Sequence, residues 1–466
     1  MSSSNSIYEN EIKLLKSEDP SERRAAVEDF MGKELDEYTV NVLSLMLADP
    51  DKGVRDSASL TLIFNGHHLI PKYVVPLISS PEISLRNLAG EVLLRIGELS
   101  IDEMVAYLEN ANDDDKKFII DILGLIGSEK PVPTILKVLK ENSNDNVILS
   151  CIEALGNIHF KDALPELISC YENNELYKPT IIEALGKMDS SEALDFITSK
   201  YFIEDDLTKF SIIESFGSLG NESTFYLLLS ELSKLSGPIV WPVIASLCQL
   251  KEKLGLDLPF DESIKNSILY TLMEAETKYK RAAASLITVF DDKDIMDALI
   301  YIYGEDYEID ENIKPAFFQY SNLIYPKLSL VIKKKPQNLK NLLWLIKDII
   351  DFDSESINRL SEIDKRSLSD ALTLCLDNPD EEVRKSSVEL LFMTNLDCAL
   401  VFIDTMIEDD NIWNRLKIVE IIENIFSPKI NEVLKKLADD AEEMVRERAV
   451  WTLAQRGITN LEKKAE

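Results

Sequence analysis

Apolar residues recur at intervals of three and four along most of this chain, as at Ile148, Ile152 and Leu155, and again at Ile181, Ala184 and Leu185. That spacing predicts amphipathic helices. The phrase around them repeats. Ile152–Gly156 and Ile182–Gly186 both read IEALG, Ile213–Gly217 reads IESFG, and IDILG ends at Gly124. The glycines at 124, 156, 186 and 217 follow one another at 32, 30 and 31 residues. A fixed period of this length predicts a solenoid of stacked helical hairpins.

Taken in order, residues 1–6 are expected to be loose and a first helix to cover 7–16. Asp19-Pro20-Ser21 ends it and starts the next, Glu22 to Met31. The following unit repeats the plan: Val40 to Leu47 is apolar, Asp49-Pro50 turns, and Val54 to Phe64 forms a second helix. Arg24, Arg55 and Arg86 lie 31 residues apart, and Gly66, Gly97 and Gly127 lie 31 and 30 apart. Ala25, Ala58 and Ala89 are small enough to let neighbouring helices approach. The glycines suit either positive φ at a helix end or close backbone packing. Lys251 to Asp261 reads as a connection, and Ala282 to Phe290 as another second helix followed by Asp291-Asp292. From Met296 to Asp351 the register fades, although Leu339 to Ile350 still reads as helix. The period returns from Ser367, where Arg384, Arg415 and Arg446 are again 31 apart. The last unit is expected to end near Asn460, with Leu461–Glu466 a polar tail.

These features predict an all-α fold, an alpha-alpha superhelix of about 14 or 15 hairpins. Its expected parts are an N-terminal solenoid over 1–250, an irregular helical middle over 251–365 and C-terminal repeats over 366–466. No Gly/Ser-rich linker divides them, which favours one continuous solenoid over two shorter ones.

Three stretches carry a further phrase. One is Asp49-Pro50, Val54-Arg55, Ala58 and Leu62. Another is Asn378-Pro379-Asp380, Val383-Arg384 and Leu390-Leu391. The third is Val445-Arg446, Ala449-Val450, Leu453-Ala454 and Gly457. The pattern resembles the HEAT-repeat family, especially its short bacterial and phycobilisome-lyase-like varieties, over roughly residues 7–250 and 365–460. The resemblance implies that the arginine-bearing second helix lines the concave side. It also implies that Arg24, Arg55, Arg86, Arg384, Arg415 and Arg446 form a structural ladder between hairpins through an acid at the preceding turn. Candidate acids are Asp49 or Asp51 for Arg55, and Asp380 for Arg384. Relatives of this kind include lyases that attach bilin chromophores, so a bilin lyase or lyase accessory subunit is the alternative function. No residue here can be assigned to that chemistry.

Charge narrows the partners. Lys plus Arg is 50 against 83 Asp plus Glu, a formal charge of -33. That opposes a dominant role on nucleic-acid phosphates and on anionic membranes. The start of the chain does not read as a secretory signal, and no apolar run is long enough to span a membrane. Cys151, Cys170, Cys248, Cys375 and Cys398 are scattered and odd in number, which suits free thiols in a reducing, cytoplasmic setting. The histidines are His67, His68 and His159. No phosphate loop, dinucleotide loop, nucleophile elbow, HExxH or paired CxxC occurs. No catalytic residue, metal site or cofactor is therefore expected.

An acidic ladder is the most informative surface feature. Glu91, Asp121, Glu153, Glu183 and Glu214 are spaced 30, 32, 30 and 31, and Glu389 and Glu420 repeat the phase 31 apart. One acid per repeat places them on one face, either as an ordinary solvated face or as a trough for a basic partner. The aromatics Tyr301, Tyr303, Tyr307, Phe317, Phe318, Tyr320 and Tyr325 offer either an interface or a core for the irregular middle. Lys333-Lys334-Lys335 reads as a soluble turn. The expected function is non-enzymatic: a protein-binding scaffold or adaptor whose acidic groove takes a basic peptide or protein surface.

Overall fold

The computed structural model describes residues 8–259, 261–288, 290 and 295–458. The expectations for residues 1–6, for Asp291-Asp292 and for the chain beyond 458 lie outside the described residues. Two compact units divide the chain, Met1–Leu256 and Asp257–Glu466. All regular structure among the described residues is helical.

The first unit is a run of hairpins. These are α1 (Glu9–Leu14) with α2 (Pro20–Glu28), α3 (Glu37–Leu45) with α4 (Lys52–Asn65), α5 (Ile70–Val74) with α6 (Ile83–Ile96), and α7 (Ile101–Leu108) with α8 (Asp113–Ile126). They continue as α9 (Val132–Glu141) with α10 (Asp145–Asn157), α11 (Leu164–Asn173) with α12 (Lys178–Gly186), α13 (Ser191–Lys200) with α14 (Asp206–Leu219), and α15 (Glu222–Leu232) with α16 (Val240–Leu254). Helix ends follow from local chemistry. Asp51 is extended, and its carboxylate accepts from the Val54 amide at 3.1 Å to open α4. Gly66 closes that helix with φ +52°.

The glycines of the two ladders do different work. Gly66, Gly97 and Gly127 all have positive φ at helix ends. Gly124 and Gly156 instead sit inside helices at crossings. A Cβ on Gly124 would lie 2.7 Å from the Cα of Ala154, and one on Gly156 would lie 2.7 Å from the Cα of Ala184. Hydrogen therefore replaces a side chain where α8 meets α10 and where α10 meets α12. Consecutive second helices from α8 to α16 pack at this close range, whereas the first helices α9 to α15 do not approach one another as nearly. A stack pinched along one row curves toward it, so within this unit the second helices form the inner wall.

The second unit continues with α17 (Glu262–Glu274) and α18 (Thr277–Ile287), α19 (Met296–Ile302) and α20 (Tyr307–Gln319), and α21 (Ser321–Ile332) and α22 (Leu339–Phe352). It ends with α23 (Glu362–Thr373) and α24 (Glu381–Thr394), α25 (Leu396–Met406) and α26 (Ile412–Ile422), and α27 (Pro428–Leu437) and α28 (Glu443–Gln455). The described residues hold 28 α-helices, two to a repeat in chain order, with α25 packed more closely on α24 than on α26. The register that fades over 296–351 hides ordinary hairpins. Interior prolines, Pro315 in α20 and Pro326 in α21, and large aromatics replace the usual small residues there. Phe317 and Tyr325 are fully buried and Tyr303 nearly so, so these three aromatics fill core. Tyr301 and Tyr307 are exposed, and Phe318 stacks on Phe352 with ring centroids 4.6 Å apart.

Candidate functional site

Two sets of charged residues recur on the second helices. The arginines stitch hairpins together, but with partners other than those the spacing suggests. Arg384 donates through Nε and Nη2 to Asp409 at 2.8 and 2.9 Å, and Arg415 makes the same fork with Asp440 at 2.8 and 2.9 Å. Each acid belongs to the turn of the following hairpin, not to the arginine's own turn, so Asp380 is not the partner of Arg384. The arginine's own turn supplies carbonyls instead. Nη1 of Arg384 donates to the Asn378 carbonyl at 2.8 Å, and that of Arg415 to the Asp409 carbonyl at 2.7 Å.

Arg446 donates to the carbonyls of Asp440 and Ala441, both at 2.6 Å. Arg86 reaches the Asp114 carbonyl at 3.1 Å and the Asp115 carboxylate at 3.4 Å. Arg55 donates to the carbonyls of Asp49 and Pro50 at 2.8 and 3.0 Å, while the next turn, Ser80-Pro81, offers no aspartate. Neither Asp49 nor Asp51 is its carboxylate partner. At the first hairpin the ladder residue is Arg23, not Arg24. Arg23 forks onto Asp49 at 2.8 Å through both Nε and Nη2 and also donates to the Ser17 carbonyl at 2.9 Å. Arg24 faces solvent and pairs with Glu28 on its own helix at 2.7 Å.

The acids do a second job. Oδ1 of Asp49, Asp409 and Asp440 also accepts the amide two residues on, at 2.9, 2.8 and 2.9 Å. Each carboxylate thus fixes its own turn while gripping the previous hairpin. Burial works against the charge at all three, but the arginine bonds and the turn amides outweigh it. All three carboxyls are held below the ordinary carboxylate range.

The acidic ladder lies on the second helices α6, α8, α10, α12 and α14, on faces turned away from their hairpin partners. Glu91, Glu153 and Glu183 are exposed, and Asp121 and Glu214 are half-buried. Cations share this wall, which the ladder alone did not disclose. Lys117 donates to Asp121 at 2.7 Å, Lys187 to Asn157 at 2.8 Å, and Arg95 is exposed beside Glu91. Ser211 donates to Glu183 at 3.2 Å.

Glu153 reports the local field. Loss of water in the concave wall, then the like charges of Asp121 and Glu183, push its carboxyl above the ordinary range despite the opposing lysines 117 and 187. The folded chain therefore holds this proton more tightly than the unfolded chain. Stability is fully present below the unfolded value and is lost as pH rises through the folded one. Glu153→Gln is accordingly expected to raise the thermal midpoint slightly at neutral pH and to leave it unchanged at about pH 3, below both values. Calorimetry at the two pH values checks this.

In the second unit the ladder positions are neutralised. Glu389 receives Lys347 at 2.9 Å and lies 3.6 Å from Lys417, which also reaches Glu420 at 3.4 Å. The acidic face is thus a feature of the first unit.

Among the described residues, no group of three or more His, Cys, Asp or Glu side chains could hold a metal ion, and no helix is long and apolar enough to cross a membrane. Residues 101–178 match the family described as HEAT repeats. No curated protein matches the sequence. Among solved structures, the karyopherin Kap121p bound to the SUMO protease Ulp1p is similar over 96% of this chain and 59% of that one, at 13% identity and a TM-score of 0.45. Kap121p by itself is similar over 97% and 63%, at 13% identity and a TM-score of 0.41. This chain thus spans about three fifths of the length of that karyopherin. Repeated hairpins, glycine crossings between second helices and arginine–aspartate stitches between turns give the described residues an all-α fold of stacked helical hairpins, similar to HEAT repeats over residues 101–178.

Proposed function

We propose that this protein is a non-enzymatic scaffold or adaptor of the short HEAT-repeat kind, and that the inner wall of its first unit binds a basic peptide or basic protein surface. One observation carries the reading. Asp121, Glu153 and Glu183 sit on three consecutive second helices, close enough that the charges of the other two add to desolvation in raising the Glu153 carboxyl, against Lys117 and Lys187. A wall that holds Glu153 charged at a cost gains when a cation arrives beside it. The bilin-lyase alternative has no comparable observation behind it. All five cysteines are unpaired, which supports a reducing, cytoplasmic setting.

The test is a pull-down from the native organism at low and high salt, using wild type and a Glu153→Lys, Glu183→Lys, Glu214→Lys variant. The variant is expected to bind its partner about tenfold or more weakly at low salt, and the wild type to release it as salt rises. Partner recovery unchanged by the three reversals would remove this wall from consideration.

A further inference from the structure

The inner wall of the first unit changes character along its length. From α4 to α8 it presents exposed apolar side chains among the charged Glu91, Arg95, Lys117 and Asp121. Leu60 is 59% exposed, Phe64 68% and Leu125 63%, all on second helices. Between α6 and α8 lies an open cleft of about 670 Å³, lined by Leu94, Phe118, Ile122 and Leu125, with Glu91 and Arg95 also on its walls. Gly90 lets the Phe118 ring pack directly against α6 as one side of this cleft, since a Cβ there would stand 2.7 Å from Phe118 Cζ. From α8 to α14 the same wall carries Asp121, Glu153, Glu183 and Glu214, one acid per helix.

Spacing decides what can follow those acids. Packed helices lie about 8–10 Å apart. A polyproline II chain advances about 3.1 Å per residue with three residues per turn, so the same side recurs every ~9.3 Å. A β-strand presents the same side every second residue, about 6.6 Å, and loses step by the second helix.

From the cleft and this spacing, we propose that the wall takes one extended peptide in the polyproline II conformation. An apolar residue seats in the α6/α8 cleft, and basic residues at every third position cross the acids toward α14. This rests on the binding wall proposed above and adds the partner's sequence pattern. Arg95 repels a basic residue at the cleft itself, which puts the apolar residue there. Lys117 already holds Asp121, so the first basic residues meet Glu153 and Glu183. Apolar burial fixes register, and the charges fix direction along the wall.

Fluorescence anisotropy with the full chain and three labelled peptides of equal length tests this. The first has Phe followed by Lys at every third position with prolines between. The second has the same composition with contiguous lysines. The third is the first with Ser in place of Phe. The first is expected to bind about tenfold tighter than either of the others. Leu125→Ser is expected to bring its affinity down to that of the Ser peptide and to leave the Ser peptide's own affinity unchanged. Leu125 is exposed, so this variant keeps its helical circular dichroism. Equal, salt-sensitive binding of all three peptides overturns the proposal and leaves the acidic wall in place. Tighter binding of the contiguous-lysine peptide also overturns it. Failure of every peptide to bind at low salt overturns both.

Discussion

Gly156→Val is expected to destabilise the first unit by about 3 kcal/mol, because the added atoms meet a backbone and not a movable side chain. A Cβ at this position would lie 2.7 Å from Ala184 Cα and 2.8 Å from Ala184 Cβ. Ala184 lies inside α12, which is itself packed against α14. Neither helix can withdraw without parting two hairpins. Gly156→Ala is expected to lose less, since alanine recovers about 1 kcal/mol of helix propensity that glycine gives up. Gly127 supplies the control. A Cβ there has nothing within 4 Å, but φ is +74°, so Gly127→Ala costs only left-handed strain of about 1–2 kcal/mol. Urea unfolding of the full chain, followed by far-ultraviolet circular dichroism, separates these cases. Because each hairpin touches only its neighbours, Gly156→Val is also expected to broaden or split the transition of the first unit. A Gly156→Val midpoint no lower than that of Gly127→Ala would show that α10 and α12 do not cross this closely.

The period of the glycines carried the fold, because close helix crossings leave the sequence little choice at those positions. In the second unit the arginine period at 384, 415 and 446 marked the second helices α24, α26 and α28 instead. Partnership was harder to read. Arg23 and Arg24 are adjacent, and a period alone cannot say which of two neighbours turns inward; packing against Asp49 decides it. Arg384 finds its acid 25 residues ahead at Asp409, while Asp380 stands nearer in sequence but caps its own helix. Local proximity therefore misled. The apolar cleft was missed because Leu94, Phe118, Ile122 and Leu125 read as ordinary core at helical spacing. A signal was nonetheless present. Phe64, Arg95, Leu125, Asn157 and Lys187 share one repeat phase, and leucine and phenylalanine in an otherwise polar column mark apolar side chains facing solvent.

Glu153 of the inner wall and the acids of the turns are chemically alike but energetically opposite. Glu153 is partly desolvated and crowded by like charge, and gains from protonation. Asp440 is gripped by a guanidinium fork and resists it. At Glu153 burial and like charge outweigh the nearby Lys117 and Lys187, so its charge is only partly compensated, whereas a stitch spends its charge within the fold. The neutralised ladder of the second unit, where Lys347 and Lys417 occupy Glu389, falls on the structural side of that divide. This is why the proposed partner is assigned to the first unit.

Arg415→Met is expected to destabilise the second unit by about 2 kcal/mol at neutral pH, because it leaves Asp440 charged and largely enclosed. The side chains of Arg415 and Asp440 are only 12% and 8% exposed, so little solvent screening softens the loss. An ordinary aspartate in the unfolded chain titrates near about 3.9. Folded Asp440 lies below its ordinary value, so on acidification the unfolded chain takes up its proton first. The pair's contribution is thus complete above about pH 4 and disappears as the pH falls through the lower, folded value. Asp49 and Asp409 shift in the same direction, so both units are expected to weaken over that acid window. Asp440→Asn separates the charge from the turn: an amide oxygen still accepts from the Glu442 amide, but the fork loses its anion. Its loss at neutral pH is expected to fall between wild type and Arg415→Met. Urea midpoints at about pH 7 and about pH 2.5 provide the measurement, and the gap between wild type and Arg415→Met is expected to narrow at the lower pH. A gap of equal size at both values would mean that the arginine stabilises the turn by filling space and by donating to the Asp409 carbonyl, with its charge contributing nothing.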